Sequence, residues 1–598
     1  MSVAVQQCAW AMGLVAELCR RGVTRAIIAP GSRHTPLVLA AHNLAKAGHL
    51  EIYDVLDERV AGFVALGLGR VTGEPAMVLT TSGTAGAHLL PAVIEAERSR
   101  VPMLLITADR PQHLHGVGAP QTIEQRDLFG VHARLSVAAD PLGKTTSAAE
   151  LAGQVMNVTT GEEPGPVHLN VPFEKPLWEP GADPAGPKQL TRRHGDHDTR
   201  SLLSADELAS LARTLTGAER GLIFAGPGDP GHANGRYETR RDDLTRAARR
   251  LAETLDWPLV ADGASAVRLC GRDDNLVTSV ESLVRSGELD EVHPDVILQV
   301  GQTATSTAIQ KWLGSRSSRL IPLDPSGRRQ DPAQISEAPR TTDPALTLEA
   351  LVDLVETRRE PSPWGERWRA LERIARSALD EATEDGQAWS GAVVRAVLDR
   401  LPEAGLLHVA SSLPIRDLDA FSGAPVRRLH VAANRGANGI DGLISTALGE
   451  ALTWRGPVVA LIGDLAFAHD LSGLAAAREL LETRADTSLT LVVVDNGGGA
   501  IFDGLPIAAH PTAHEPHFVT PQRLVATQIA EALGLETRSV KGTRRAVSTA
   551  LDEILETPGL KVLHVQLDRH EDAQRRALAH GRVQEALLSA TDGSEVTR

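Results

Sequence analysis

The sequence predicts an α/β protein built of three doubly wound domains with mainly parallel sheets, and three observations carry that prediction. Short apolar runs such as 26–29, 76–80 and 489–494 end in polar or Gly-containing turns and alternate with helix-length segments, the pattern of strands buried on both faces of a parallel sheet. Two breaks in composition divide the 598 residues into blocks 1–185, 200–355 and 370–598, each of ordinary domain size. The outer two blocks, finally, read as copies of one design.

Composition bounds the function. At 42% apolar and 23% charged residues the chain has the make-up of a globular protein, with only 3% aromatics, so its cores rest on Leu, Val, Ile and Ala. A formal charge of −15, from 61 basic and 76 acidic residues, argues against a nucleic-acid partner. Seven of the basic residues are lysines; arginine suits bidentate binding of carboxylates. Cys8, Cys19 and Cys270 have no ligand-like spacing, and their sparse use fits a reducing, cytoplasmic setting. No apolar stretch approaches the length of a membrane span, and the N-terminus lacks a charged region followed by an apolar one, so neither a membrane segment nor secretion is expected.

In the first block, a strand at 26–29 runs into Pro30-Gly31-Ser32-Arg33, and an apolar stretch at 52–56 runs into Asp57-Glu58-Arg59 and a helix over 61–69. A carboxylate such as Glu58, between a strand end and an apolar helix, is placed for partial desolvation and for sharing a proton with a cofactor nitrogen. The strands 76–80 and 103–107 end in Thr81-Ser82-Gly83-Thr84 and Thr107-Ala108-Asp109-Arg110-Pro111, and Gly118-Ala119-Pro120-Gln121-Thr122 adds an amide in a Pro-fixed loop. Several polar groups therefore converge on the carboxyl edge of one sheet, where open α/β folds bind ligands. Residues 174–200, rich in Pro, Gly, His and charge, form a linker, and 358–368 is a second punctuation point. Between them, strands at 221–225, 296–300 and 320–324 alternate with helices but carry no Gly-x-Gly-x-x-Gly fingerprint, so this block is assigned a structural role.

The last block repeats the first. One offset of 382 residues (449 − 67) carries Gly67 onto Gly449, Ala76 onto Val458 and Ser82 onto Asp464. A strand at 406–410 leads into Ser411-Ser412-Leu413-Pro414-Ile415-Arg416, and Asn434-Arg435-Gly436-Ala437-Asn438-Gly439-Ile440-Asp441-Gly442 is a Gly-rich loop before a helix, suited to close approach by a cofactor. Arg416 and Arg435 are natural carboxylate clamps. The strands 458–462 and 489–494 end in Gly463-Asp464-Leu465 and Asp495-Asn496-Gly497-Gly498, which places Asp464 and Asn496 side by side at one sheet edge. A carboxylate, an amide oxygen and a Gly-rich backbone make a hard-oxygen set for Mg²⁺ that also holds a diphosphate.

That last pair resembles the Gly-Asp-Gly…Asn-Asn signature of thiamine-diphosphate (ThDP) enzymes, with Leu465 and Asp495 as departures. The turns quoted above, from Pro30-Gly31-Ser32-Arg33 to Gly463-Asp464-Leu465, occur in the order found in the MenD family, the 2-succinyl-5-enolpyruvyl-6-hydroxy-3-cyclohexene-1-carboxylate synthases of menaquinone synthesis. The chain closely resembles that family across both outer blocks, and the family accommodates both departures.

The resemblance implies pyrimidine-binding, central and diphosphate-binding domains. It implies ThDP with Mg²⁺ (Mn²⁺ as an alternative), and the joining of decarboxylated 2-oxoglutarate to isochorismate. It further implies a homodimer or homotetramer with active sites at subunit interfaces. Carried over, Glu58 contacts the aminopyrimidine and promotes formation of the attacking ylid, while Asp464, Asn496 and the Gly498 carbonyl hold the metal. Ser82, Gly439, Ile440, Leu465, Ile501, Phe502 and Leu505 are expected around the cofactor. Ser32 and Gln121 are expected at the reacting atoms, and Arg33, Arg110, Ser412, Arg416 and Arg435 around the substrate carboxylates. A ThDP enzyme with another acceptor and a non-catalytic protein on the same fold are the alternatives. The arginines disfavour the first, and retention of Glu58 with Asp464 and Asn496 disfavours the second.

Two further departures are visible. Residues 301–312 lack the basic residue that some relatives place mid-segment, with Thr307 near its position, and Phe518-Val519-Thr520-Pro521-Gln522 replaces a Phe-Gly-Thr-Pro-His stretch. His510, His514 and His517 have the spacing of one helix face, but Pro511 and Pro516 predict a loop without a metal.

Overall fold

The computed structural model describes residues 1–143, 147–183, 186–187, 189–192, 200–228, 236–314, 318–358 and 360–592. The block boundary at 185, part of the predicted linker (193–199) and residues 593–598 lie outside them.

Three six-stranded sheets form, and every pairing in them is parallel. The first holds β1 (Arg25–Ile28), β2 (Glu51–Asp54), β3 (Ala76–Thr80), β4 (Met103–Asp109), β5 (Leu135–Ala138) and β6 (Pro166–Pro172), in the order β2-β1-β3-β4-β6-β5. The second holds β7 (Gly221–Ala225), β8 (Leu259–Ala261), β9 (Leu276–Val277), β10 (Val296–Val300), β11 (Arg319–Asp324) and β12 (Arg340–Thr341), in the order β12-β11-β10-β7-β8-β9. The third holds β13 (Leu406–Val409), β14 (His430–Ala432), β15 (Val458–Gly463), β16 (Ser488–Asp495), β17 (Glu536–Lys541) and β18 (Gly559–Gln566), in the order β14-β13-β15-β16-β18-β17. The outer sheets thus share one strand order, as a duplicated design predicts.

The central sheet has the strand order of dinucleotide-binding folds, and the loops after its two switch-point strands touch each other. Beyond β7 and β10, Gly226 N donates to Val300 O (2.8 Å) and Gln302 N to Pro227 O (2.8 Å). A Cβ on Gly226 would stand 1.8 Å from Gln302 O. After the punctuation point, the Ser362 hydroxyl caps a helix opened by Pro363 (Pro363–Glu384). This helix lays Trp364 and Trp368 on the central sheet, and Trp364 Nε1 donates to Gly221 O (2.7 Å).

The outer sheets are joined by two helices that are buried almost all round, Glu58–Thr72 and Leu443–Ala451. A helix apolar on every face has to sit inside a core, and these two cross within a single apolar cluster drawn from both sheets. Small residues let the backbones touch. A Cβ on Gly67 would stand 2.2 Å from Thr446 O, and one on Gly449 would stand 2.2 Å from Val64 O. Gly67 and Gly449 are the pair that the 382-residue offset makes equivalent, so the two copies meet where their sequences correspond.

Beside this contact, the Arg70 guanidinium donates to Glu450 Oε1 (2.7 Å) and Asn434 Oδ1 (2.8 Å). The other oxygen of Glu450 lies 2.9 Å from His408 Nδ1. All four side chains are buried. Burial opposes charge on Arg70 and Glu450. Glu450 and then Glu95 outweigh it at Arg70, and His408 and then Arg70 outweigh it at Glu450, so the arginine is raised and the glutamate lowered from their ordinary pKa values.

Gly449→Ala is expected to lower unfolding stability by about 3 kcal/mol, because a methyl group has to displace backbone rather than a flexible side chain. Gly581→Ala, in helix Arg569–Asp592 with open space at its Cβ, is expected to stabilise by up to about 1 kcal/mol. Urea unfolding midpoints of the two variants measure the contrast.

Candidate active site

At the carboxyl edge of the first sheet, the loops after β1, β3 and β4 lie against one another. A Cβ on Gly31 would stand 2.4 Å from Thr81 Cβ, and Arg33 N donates to Thr81 Oγ1 (3.3 Å). The Arg33 side chain is buried and donates to Phe173 O (2.8 Å). Burial, then the nearby Arg110 charge, lower its pKa. Gln121, held at φ +57°, donates through Nε2 to Ser82 O (2.9 Å). Its Oε1 lies 3.5 Å from Arg110 Nη2. The Ser82 hydroxyl and Arg110 Nη1 are buried with no partner among the described residues. Ser32 stands exposed beside them.

Gln125, which the sequence reading passed over, braces this edge. Fully buried, it accepts from Gly83 N (2.8 Å) and donates to Asn170 Oδ1 (2.9 Å) and Ala108 O (3.1 Å). Glu58 is the first residue of helix Glu58–Thr72, behind the N-cap Asp57. Its carboxylate is half-buried, and no hydrogen bond or ion pair engages it among the described residues.

At the third sheet, Asp464 and Asn496 leave the adjacent strands β15 and β16, whose register pairs Gly463 with Val494. Asp464 Oδ1 accepts from Leu465 N (2.8 Å). Burial, then the charge of Asp495, push the Asp464 carboxyl up to about 7, whereas Asp495 is lowered, first by its hydrogen bond from His564. The amide oxygen of Asn496 is buried with no partner among the described residues. Gly497 and Gly498 sit at φ +81° and +128°, and a Cβ on Gly498 would meet Val519 O at 2.3 Å. Only glycine fits there. A buried acidic oxygen, an orphaned amide oxygen and a tight glycine turn are a donor set that fits a divalent cation carrying a diphosphate.

Ser412 precedes helix Leu413–Phe421 at φ +75°, an unusual conformation for a residue with a Cβ. Its carbonyl accepts from Arg416 Nη1 (2.7 Å). That helix separates two spaces. A narrow pocket on one side is lined by Leu413, Gly463 and Asn496. On the other side lies a cavity of about 810 Å³, walled by Arg416, Thr307, Lys311, Ile501, Phe502 and Leu505 among others. Asp417 borders both spaces, and burial raises its carboxyl to about 7 against the pull of Arg576. Lys311 stands one helical turn beyond Thr307 on helix Thr307–Gly314, exposed and unpaired among the described residues. The spacing of four from Thr307 was the signal for it.

The Gly-rich loop is pinned to the first sheet's domain. Gly436 N and Ala437 N donate to Glu95 (2.9 and 2.7 Å), and a Cβ on Gly442 would overlap the Phe63 ring. A Cβ on Gly439 would stand 2.1 Å from Asp441 Oδ1, a side-chain atom that can turn aside, Ile440 packs on the shared core, and Arg435 lines a small separate cavity with Arg70 and Gln302. The stretch over residues 510–519 departs from expectation. Pro511 opens a helical turn (Pro511–His514) that continues as a π turn (Glu515–Val519), since proline at a first helical position needs no N–H partner. His514 turns inward to Asp503 (3.4 Å), while His510 and His517 face outward. Of the atypical stretch, Phe518 and Val519 end the π turn and Thr520-Pro521-Gln522 continue as a loop, while Val519 O accepts from Gly499 N (2.7 Å).

The structure therefore assembles two half-sites. Ser32, Arg33, Ser82, Arg110 and Gln121 form one, and Ser412, Arg416, Asp464, Leu465, Asn496, Gly498, Ile501, Phe502 and Leu505 form the other. No hydrogen bond or ion pair among the described residues joins them, and no residue of the first sheet's domain lines the large cavity.

Residues 10–128 match the family described as thiamine pyrophosphate enzyme, N-terminal TPP binding domain. The synthase of 2-succinyl-5-enolpyruvyl-6-hydroxy-3-cyclohexene-1-carboxylate from Geobacillus kaustophilus is 36% identical, covering 95% of this chain and 96% of its own. The enzyme of that name from Rubrobacter xylanophilus is 38% identical over 96% and 98%. A solved structure from Mycobacterium smegmatis, assigned to the thiamin diphosphate-dependent enzymes, shares the fold with a TM-score of 0.67 at 18% identity, over 94% of this chain and 99% of that one. With both outer sheets in place and relatives matched along almost the whole chain, the chain belongs to the 2-succinyl-5-enolpyruvyl-6-hydroxy-3-cyclohexene-1-carboxylate synthase family of ThDP-dependent enzymes.

Proposed function

We propose that the chain, with ThDP and Mg²⁺, decarboxylates 2-oxoglutarate and joins the remaining four-carbon unit to isochorismate, making the compound for which its relatives are named. The observation that carries this reading is the Asn496 amide oxygen, buried beside Asp464 with no partner among the described residues, in a pocket that helix Leu413–Phe421 divides from the cavity presenting Arg416 and Lys311. Bound ThDP supplies an electron sink for the carbon–carbon bond that breaks and the one that forms.

The chain's own residues do the rest. Asp464, Asn496 and the Gly498 carbonyl hold Mg²⁺ and through it the diphosphate, with Mn²⁺ as an alternative. Gly439 and Leu465 shape that cradle, and Ile440, Ile501, Phe502 and Leu505 exclude water beside the reacting carbon. Glu58, half-buried and without a partner among the described residues, would hold a proton at the aminopyrimidine ring nitrogen, and Ser82, whose buried hydroxyl also has no partner among them, would contact the cofactor. Ser32 and Gln121 orient the reacting groups. Arg33, Arg110, Ser412, Arg416 and Arg435 bind carboxylates, to which the cavity adds Lys311.

The half-sites complete each other between the first domain of one subunit and the third of its partner, so the working unit is a homodimer or homotetramer. The three blocks are read as pyrimidine-binding, central and diphosphate-binding domains. Three buried, unbridged cysteines agree with a cytoplasmic location.

The purified protein with both cofactors and both substrates is expected to release CO₂ and consume isochorismate in equal amounts. Failure to consume isochorismate would overturn the reading. Glu58→Gln is expected to lower kcat by about 10²–10⁴-fold while ThDP still binds, measured by steady-state kinetics beside cofactor calorimetry. Arg416→Gln is expected to raise KM for a carboxylate substrate by about ten-fold or more, the value of a lost charge-assisted hydrogen bond. Pyruvate offered in place of 2-oxoglutarate should give no product.

A further inference from the structure

Asp495 stands between the residues assigned to the metal and a side-chain chain that leads away from them. It is the last residue of β16, followed directly by Asn496, and its carboxyl meets that of Asp464 while each of its oxygens takes a further partner. Oδ1 accepts from Gly497 N (3.1 Å), closing the turn that shapes Gly497 and Gly498. Oδ2 lies 2.8 Å from Nε2 of His564 on the adjacent strand β18. Because a carboxylate only accepts, Nε2 carries the hydrogen, and Nδ1 is left to accept from the hydroxyl of Ser539 on β17 (3.1 Å). His564 is 2% exposed, so water does not compete for its nitrogens. Three strands thus pass one line of hydrogen bonds toward the Asp464–Asn496 edge.

We propose that Ser539, His564 and Asp495 act as a positioning relay for the divalent cation. His564 on Oδ2 and Gly497 N on Oδ1 hold the Asp495 carboxyl in place against that of Asp464, and this fixes the turn that sets Asn496 and Gly498 beside Asp464. Outer groups that orient metal ligands change metal affinity by about 10–100-fold when removed. The inference rests on the ThDP–Mg²⁺ reading above, and deepens it by naming residues that act through the ligands rather than as ligands.

The test is calorimetric titration of Mg²⁺ into the apo protein at saturating ThDP, with the melting temperature of each apo variant as the control for folding. His564→Leu is expected to raise the Mg²⁺ dissociation constant by about ten-fold or more, and His564→Gln, which keeps an N–H donor, by less. In an Asp495→Asn background, His564→Leu should add little, because its effect runs through Asp495. Ser539→Ala, at an exposed edge-strand position, leaves the fold intact and is expected to weaken Mg²⁺ by about two- to three-fold, so the relay stays testable if His564→Leu does not fold. Wild-type Mg²⁺ affinity in His564→Leu overturns the relay, as does an equal loss with and without Asp495. If His564→Leu does not fold, wild-type affinity in Ser539→Ala does so. A wild-type protein that binds neither ThDP nor Mg²⁺ overturns the functional reading instead.

Discussion

The contact on which this architecture depends is the crossing of helices Glu58–Thr72 and Leu443–Ala451, where Gly67 and Gly449 bring two backbones together. Each helix belongs to a different sheet, and each runs from a functional turn, Glu58 at one start and the Gly-rich loop before the other. Their crossing therefore orients the two candidate half-sites within the chain. Apolar burial supplies most of the attraction, but the absence of side chains at the two glycines decides the geometry. Arg70, Glu450, His408 and Asn434 add a directional lock, and a buried charge network of this kind favours one arrangement over nearby ones by leaving none of its charges unpaired.

The central sheet has the strand order of a ligand-binding fold, and at its switch point the backbones of Gly226 and Gln302 come into contact. What this unit contributes is a wall. Helix Thr307–Gly314 brings Thr307 and Lys311 to the large cavity, across from Arg416 on the third sheet's unit.

Much of this was legible in the sequence. The strands at 76–80, 221–225 and 296–300 were readable because parallel strands buried on both faces are nearly pure apolar runs. Asp464 and Asn496 were readable as neighbours because each closes such a run and a parallel pair aligns their ends. The short edge strands β9 and β12, of two residues each, leave no such signature. Lys311 carries no signal of its own in the sequence, because the wall it joins is built by units far apart in the chain. The prolines around His514 predict a break in the helix, whereas Pro511 occupies the first helical position, the one place where a missing N–H costs nothing.

By itself the sequence determined the α/β class, the repeat that relates the outer units, and the residue types that fit a metal-borne diphosphate and polycarboxylates. These are properties of local pattern, set by strand periodicity and by the chemistry of side chains at strand ends. Tertiary structure alone decided that Gly67 would face Gly449, that Asp417 would border two spaces, and that His564 and Ser539 would stand in line behind Asp495. Each of these depends on which strands and helices become neighbours, and neighbourhood is settled by packing across hundreds of residues rather than by spacing along the chain.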